Sequence, residues 1–436
     1  MRSEQRFTPP CGPVIGQRVG PVLKASGIPY ARAQRFQPPQ PVDDWSEPYS
    51  ALDPAPACPQ WRIRELEPVM GSQTGRLPQD EHCQNLTVTT PENRQQGELL
   101  PVMVWIHGGS YISGAGDAPI YDPSALVSEQ RVVVVSVTYR LGAFGYLGGE
   151  GRPANLGLLD QLSALEWVQR NIGAFGGDPD GVTLFGQSAG GDAIAHLMAT
   201  PRASELFRRA IMQSPPLGIS RGRHKMTAAM AAAGSSLPAD APVKEVLRVQ
   251  EKARAAAAPF GLRGLMPFGT QYGVWPLPEE SQIDQAWDAV APHIDIMITH
   301  TADETRLFIP VAHPVKWLRG IPLLGSGATT LLSRLATRQV YVRGIRSFVR
   351  RHRRAGGRSH YFIFDWAAPD NFYRSAHGID VALLFGTPAN TEGLKLLQGA
   401  SWEELDEAGK AVRALWAGFA RGAELPARGR IPGVPV

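Results

Sequence analysis

Long apolar runs, cysteines and a large charge of either sign are all scarce in this chain of 436 residues. No stretch of about 18 apolar residues occurs, so no transmembrane segment is predicted. Residues 1–10 lack the apolar core of a secretory signal, which makes a cytoplasmic location the expectation. Three cysteines are too few for a disulfide framework, and a chain of this length can bury a core without disulfides. With 43% apolar and 19% charged residues, the composition excludes disordered and collagen-like proteins.

The net charge is only +4, but it is unevenly distributed. Between Glu304 and Asp365 there are twelve Lys or Arg residues and no acidic residue, which leaves 32 basic and 40 acidic residues elsewhere. The spacing of apolar residues between the arginines predicts a basic amphipathic helix over 338–354. Its role stays open between a solvated surface face and a surface that binds nucleic acid or anionic membrane. We favour the solvated face and expect no nucleic-acid partner.

Apolar runs of strand length alternate with segments of helical periodicity. This alternation predicts an α/β fold, and runs that are apolar on both faces indicate a sheet covered on both sides. The predicted strands are 14–18, 21–25, 85–89, 101–106, 132–138, 182–185, 294–299 and 361–364. The predicted helices are 158–172, 189–198, 225–260 and 402–420. No internal repeat or long linker is visible, so one large domain over 1–436 is expected.

The segment Gly186-Gln187-Ser188-Ala189-Gly190 fits the pattern G-x-S-x-G between a predicted strand and a predicted helix. A nucleophilic serine there lies on a sharp turn that raises its hydroxyl above the sheet edge. Strand and helix then pass so close that only glycine fits two residues before and after the serine. A Gly-rich turn without function is the alternative, but the flanking strand and helix favour the nucleophile.

A second Gly-rich segment, His107-Gly108-Gly109-Ser110-Tyr111, directly follows the predicted strand over 101–106. Glycines allow a backbone to turn several N–H groups toward one point, which is what a tetrahedral oxyanion requires. A simple loop is again the alternative. The serine motif about 80 residues downstream makes an oxyanion loop the better interpretation.

The region 155–191 extends these motifs into a specific pattern. It contains Asn155-Leu156-Gly157-Leu158-Leu159-Asp160-Gln161, then Phe175-Gly176-Gly177-Asp178-Pro179, and continues into the serine motif. The chain here resembles the type-B carboxylesterases, the carboxylesterase/cholinesterase family. The resemblance covers residues 12–215 well and the remainder in patches. It implies the α/β-hydrolase fold, in which a large central, mostly parallel sheet is flanked by helices and carries cap and gorge insertions.

The resemblance also implies two partners for Ser188. Family members carry the acid in a D-E-G motif after a late strand, and Asp303-Glu304-Thr305 matches it with Thr in place of Gly. Glu304 is therefore the expected acid, with the neighbouring Asp303 as a competitor. The histidine precedes an apolar run that ends in Phe-Gly, which makes His377 the expected base.

The remaining site residues also follow from the resemblance. The oxyanion donors are expected to be the backbone amides of Gly109, Ser110 and Ala189. Ser214 matches a family serine near the acid–histidine pair, although an ordinary buried hydroxyl is an equal alternative. Arg140 and Asp160 match a structural ion pair, while His107 and His196 are expected to shape the loop and to pack, respectively.

Together these residues predict a serine carboxylesterase of bacterial type that hydrolyses a small-molecule ester through an acyl-enzyme intermediate. No metal or organic cofactor is needed for this chemistry, and no Cys/His spacing typical of metal sites occurs. A non-enzymatic member of the same fold is the rival, but this chain keeps all three triad residues. Gln73 stands where cholinesterases carry a cation-binding tryptophan, so a general carboxylester is expected rather than a choline ester.

Cys58 and Cys83 match the pair that forms a disulfide in secreted relatives. In a reducing cytoplasm the same pair would remain as thiols. The two alternatives stay open at this point.

Overall fold

The computed structural model describes residues 3–95, 97–235, 237–309 and 325–431. Fourteen strands, β1 to β14, are found in these ranges: Glu4–Phe7, Val14–Val19, Val22–Pro29, Ala31–Arg32, Gln40–Pro41, Tyr49–Ser50, Asn85–Pro91, Leu100–Ile106, Val133–Val137, Gly177–Gln187, Arg209–Gln213, Asp295–Thr301, Ser359–Phe364 and Arg428–Ile431. Fourteen α-helices, α1 to α14, are found in the same ranges: Glu67–Met70, Ser124–Gln130, Gly142–Gly145, Leu156–Asn171, Ala189–Leu197, Ala203–Leu206, His224–Ala233, Val243–Ala257, Ile283–Val290, Gly325–Thr337, Arg343–Arg354, Ile379–Phe385, Pro388–Thr391 and Trp402–Ala420.

Twelve strands form one sheet in the order β1-β2-β3-β7-β9-β8-β10-β11-β12-β13-β14, with β6 beside β2. The strands from β9 to β14 pair in parallel, whereas β1, β2, β3 and β7 pair antiparallel. This mixed, mostly parallel sheet flanked by helices is the predicted α/β-hydrolase fold. The serine motif follows β10, near the centre of the parallel part.

The apolar runs of the central strands face both sides of the sheet, as their composition predicts. In β8, Val102, Val104 and Ile106 belong to one buried cluster, whereas Met103 and Trp105 belong to the cluster on the opposite face. Because side chains alternate along a strand, a continuous apolar run is stable only where helices cover both faces. Strands β8, β9, β12 and β13 and the helix over 402–420 therefore appear close to their predicted bounds, whereas β10 begins five residues earlier than predicted and β11 was not predicted.

The prediction of one long helix over 225–260 is wrong in the middle of that range. α7 ends at Ala233, and α8 begins only at Val243, directly after Pro242. Proline lacks the N–H that an interior helical turn needs, and it disfavours helical geometry in the residue before it. Pro238 and Pro242 therefore separate the Ala-rich segment into two helices.

The predicted basic helix over 338–354 is present as a π-helical turn, Arg338–Val342, followed by α11. Arginines of this helix and of the segment after it are already paired within the protein. Arg351 contacts Asp284 and Asp288 of α9, and Arg358 contacts Asp295. Arg350 and Arg354 are exposed. Lys316 and Arg319, which contribute to the basic segment, lie outside the described residues.

Cys58 and Cys83 are free thiols and fully buried. The Leu141 amide donates a hydrogen bond to Cys58 Sγ over 3.3 Å. Of the two alternatives, the structure shows the reduced pair. The predicted ion pair is also present, because Arg140 Nη2 lies 2.8 Å from Asp160 Oδ1 with both side chains buried.

Candidate active site

Ser188 lies in the turn between β10 and α5, with φ 58° and ψ −121°. A positive φ is strained for a residue other than glycine, and such strain is typical of functional turns. The flanking glycines explain why the turn is possible. A Cβ on Gly186 would lie 2.6 Å from the Ile106 carbonyl oxygen, and a Cβ on Gly190 only 2.0 Å from the same atom. The predicted close crossing of strand and helix is confirmed.

The carboxylate of Glu304 and the imidazole of His377 form a buried pair. His377 Nδ1 lies 2.5 Å from Glu304 Oε2, and the Thr301 amide donates to Glu304 Oε1 over 2.7 Å. Burial alone would raise the pKa of Glu304, but the charge and hydrogen bond of His377 and the nearby Ser214 hydroxyl outweigh it and lower that pKa. Glu304 therefore favours its ionised form, which orients the imidazole with Nδ1–H toward it.

Asp303 and Glu304, the two candidates for the acid, have different contacts. Asp303 pairs with Arg306 over 3.2 Å and with Arg374 over 3.5 Å, so its carboxylate points away from His377. Thr305, which replaces the family glycine, has a structural use. Its hydroxyl lies 2.8 Å from the Ser333 carbonyl oxygen and thereby ties the acid-bearing loop to α10.

The other side of the His377 ring contacts residues that the sequence did not single out. Gln187 Nε2 lies 3.0 Å from His377 Nε2. The rings of Phe308 and Tyr341 lie with their centroids 5.6 Å and 5.5 Å from the imidazole centroid. Within the described residues, no hydrogen bond joins the Ser188 hydroxyl to His377. Glu304 and His377 are thus in direct contact, and the hydrogen-bond partner of His377 Nε2 is Gln187.

The predicted oxyanion loop packs directly on the serine turn. A Cβ on Gly108 would lie 3.3 Å from Ser188 Cβ. Gly109 and Ser110 both have positive φ, at 110° and 55°. Among the residues the structure describes, no backbone acceptor is bonded to the amides of Gly109, Ser110 or Ala189. Three N–H groups are therefore left available beside the nucleophile.

The supporting residues have the places expected of them. His107 is buried, its Nδ1 lies 2.8 Å from the Gly108 carbonyl oxygen, and burial lowers its pKa to about 4, so it is neutral at physiological pH. His196 packs between the Asp192 carbonyl oxygen and the Tyr272 hydroxyl. Ser214 is fully buried and lies close enough to Glu304 to help lower its pKa.

Sequence reasoning missed Asp380 and its partner Gln213. Gln213 Nε2 donates to Asp380 Oδ2 over 2.7 Å, and Trp416 Nε1 donates to Gln213 Oε1 over 3.1 Å. Burial raises the pKa of Asp380 from 3.8 to about 6. The available signal was positional, because Asp380 lies one helical turn after His377 and Gln213 directly precedes Ser214.

Two further findings bear on ligands and membranes. In the described ranges, no group of three or more His, Cys, Asp or Glu side chains is arranged to hold a metal ion. Of the helices that the structure describes, none combines the length and apolar character needed to cross a membrane.

The chain is similar to known carboxylesterases in sequence and in structure. A sequence model described as the carboxylesterase family matches residues 3–318. The chain is 39% identical to a probable N-octanoylanthranilate hydrolase, AqdA2, of Rhodococcus erythropolis, covering 95% of this chain and 92% of that protein. It is 34% identical to a para-nitrobenzyl esterase of Bacillus subtilis strain 168, covering 96% and 90%. Among solved structures, a thermophilic PNB esterase superposes with a TM-score of 0.78 at 30% identity, covering 96% and 91%.

The sheet, the strained serine turn and the acid–histidine pair define an α/β-hydrolase with the architecture of a serine esterase. The chain belongs to the carboxylesterase family, and it is a carboxylic ester hydrolase.

Proposed function

We propose that Ser188, His377 and Glu304 are the catalytic triad of this esterase. The observation that carries the proposal is the 2.5 Å contact between His377 Nδ1 and Glu304 Oε2, beside a strained Ser188. Glu304 holds the imidazole in the tautomer whose Nε2 lone pair can accept a proton. Ser188 Oγ then attacks the ester carbonyl carbon while its proton passes to His377 Nε2.

The tetrahedral oxyanion would be bound by the amides of Gly109, Ser110 and Ala189. Losing one donor of this kind typically costs about 3 kcal/mol of transition-state stabilisation. Collapse of the intermediate breaks the bond to the leaving alcohol, which takes the proton from His377 Nε2 and leaves an acyl-enzyme. Water repeats the same steps to release the acid, so all protons balance without a metal or an organic cofactor.

Ser188→Ala tests this assignment. The variant should remain folded but lose turnover of p-nitrophenyl esters by at least about 10⁴-fold. A fluorophosphonate probe should label the wild type at Ser188 and leave the variant unlabelled.

Glu304→Gln should lower kcat by roughly 10³- to 10⁴-fold, because the neutral amide no longer stabilises the imidazolium. The matched variant Asp303→Asn should keep most of the activity. Equal losses in both would contradict the choice of Glu304.

The substrate class is a small-molecule carboxylic ester. A second candidate is an N-acyl aromatic amine, because the relative from Rhodococcus erythropolis is described as a probable N-octanoylanthranilate hydrolase and is similar over nearly its whole length. Comparing kcat/KM for p-nitrophenyl octanoate and N-octanoylanthranilate on one preparation distinguishes the two. A p-nitrophenyl series of rising acyl length then defines the acyl preference.

We also propose that residues 1–436 form a single catalytic domain. We further propose that the protein works in a reducing compartment such as the cytoplasm, and the free thiols of Cys58 and Cys83 support this location. No nucleic-acid partner is proposed for the basic helix over 338–354. The internal pairing of Arg351 with Asp284 and Asp288 supports a mainly structural use of that helix.

A further inference from the structure

The imidazole of His377 is restrained on every side that the structure describes. Glu304 holds Nδ1, the rings of Phe308 and Tyr341 lie beside the ring, and the amide nitrogen of Gln187 lies 3.0 Å from Nε2. The first three contacts fix the orientation of the ring. The fourth occupies the one atom that has to receive the serine proton.

The chemistry of the Gln187 contact follows from the tautomer. Because Nδ1 carries the proton that is shared with Glu304, Nε2 of the neutral ring has a lone pair and no hydrogen. An amide NH₂ can only donate, so Gln187 Nε2–H donates to that lone pair. The Ser188 hydroxyl makes no hydrogen bond within the described residues, so Gln187 and Ser188 compete for a single acceptor.

The Gln187 side chain is held in this position by the oxyanion loop. It is buried, and a Cβ on Gly108 would lie 3.0 Å from Gln187 Oε1 and 2.7 Å from the Gln187 carbonyl oxygen. The amide is thus packed between Gly108 and His377, with its oxygen toward the loop and its nitrogen toward the imidazole. Glycine at 108 leaves just enough room for this arrangement.

We propose that Gln187 is a positioning residue that holds His377 in a resting state, and that acylation begins when Ser188 replaces Gln187 at Nε2. The inference rests on the proposed triad. A donor to the lone pair stabilises the neutral imidazole and opposes its protonation. When Nε2 takes the serine proton it becomes a donor itself, so the Gln187 NH₂ group can no longer bond to it and has to turn or move away.

The proposal predicts a shift in the acidic limb of the pH profile. The charged and titratable groups around the imidazole are Glu304, the Tyr341 hydroxyl and Asp380, and all of them remain in a Gln187 variant. Gln187→Met keeps the volume but removes the donor, so the acidic limb of kcat/KM should move about half to one pH unit higher. Gln187→Glu places a carboxylate near Nε2 and should move the acidic limb of kcat/KM about one to two pH units higher.

The matched control is Gln250→Met. Gln250 is a buried amide that accepts a hydrogen bond from the Ala143 amide over 3.0 Å and is not among the contacts of His377. The acidic limb of kcat/KM of the Gln250→Met variant should coincide with that of the wild type. A limb that shifts equally in Gln187→Met and Gln250→Met would indicate a general packing effect and overturn the proposal.

The pH dependence of Ser188 labelling by a fluorophosphonate gives a second readout that needs no turnover. If the wild type is not labelled at all, the proposed triad fails. If the wild type is labelled and the Gln187 variants show the same pH dependence as the wild type, the triad stands and the role of Gln187 is wrong. A pH dependence of labelling that moves to higher pH in Gln187→Met, and further in Gln187→Glu, supports the proposed role of Gln187.

Discussion

Asp380 shows how a single buried carboxyl couples stability to pH. Its pKa rises from 3.8 to about 6 because burial disfavours the charged form. Between these values the folded protein binds more protons than the unfolded chain, so this group's contribution to stability falls as the pH rises. Above about pH 6 the folded state carries a buried carboxylate at a cost of about 3 kcal/mol.

Asp380→Asn should therefore stabilise the protein at pH 7.5 by about 1–2 kcal/mol and destabilise it by about 1–2 kcal/mol near pH 3.5, where the carboxyl is neutral in both states. The Asn carbonyl oxygen can still accept from Gln213, while the new NH₂ group lacks a partner and reduces the gain. Urea unfolding of both proteins at the two pH values measures the difference. A variant that is equally or less stable at pH 7.5 would show that the carboxylate is not costly.

At the scale of single residues, the sequence identifies those whose surroundings are determined by a local motif. Ser188 is of this kind, because it lies in a turn of defined shape between a strand and a helix, whereas Glu304 and His377 are indicated only by the resemblance to the family. The contact of Gln187 with His377 joins residues 190 positions apart and depends on which way a flexible side chain turns. No local pattern encodes that choice.

The basic helix α11 illustrates what charge counting along an element leaves out. The segment between Glu304 and Asp365, which includes α11, has twelve basic residues and no acidic residue, yet α9 brings Asp284 and Asp288 against Arg351. Such partners come from another part of the chain, so the sequence of one helix does not show them. The π-helical turn before α11 was equally unpredicted, and it carries Tyr341 against His377.

Arg351→Glu should lower the free energy of unfolding by about 1 kcal/mol, because it replaces two attractive contacts with like-charge repulsion against Asp284 and Asp288. Arg350→Glu is the matched control on the same helix, since Arg350 is exposed and has no ion pair among the described residues. Both substitutions change the net charge equally. Thermal unfolding at low and high salt should separate them, and equal effects would mean that the α9 contacts carry no stability.

At the scale of the whole molecule, the apolar runs predict most of the parallel centre of the sheet, but they miss β11, which lies between β10 and β12. The edges are not predicted, because short strands such as β1 and β14 are largely exposed and carry little apolar signal. Ser188, Glu304 and His377 follow strands of the same sheet or loops attached to it, and buried clusters lie on both of its faces. One sheet shared by both clusters favours a single cooperative unit.

Differential scanning calorimetry checks this prediction. The protein should unfold in one transition whose calorimetric and van't Hoff enthalpies agree. Phosphonylation of Ser188 by a fluorophosphonate, with loss of fluoride, should change the temperature of that transition without splitting it. Two separate transitions would indicate that the chain contains independently folding parts.

The order of the strands also has a consequence for synthesis on the ribosome. From β10 to β14 the strands lie side by side in the order in which they are translated. Each new parallel strand covers an edge that the previous one left open, so the nascent chain presents an unpaired apolar edge several times before it is finished. His377, the proposed catalytic base, emerges only after β13, when nearly the whole sheet has been made. We expect chains truncated before that point to be both inactive and dependent on chaperones.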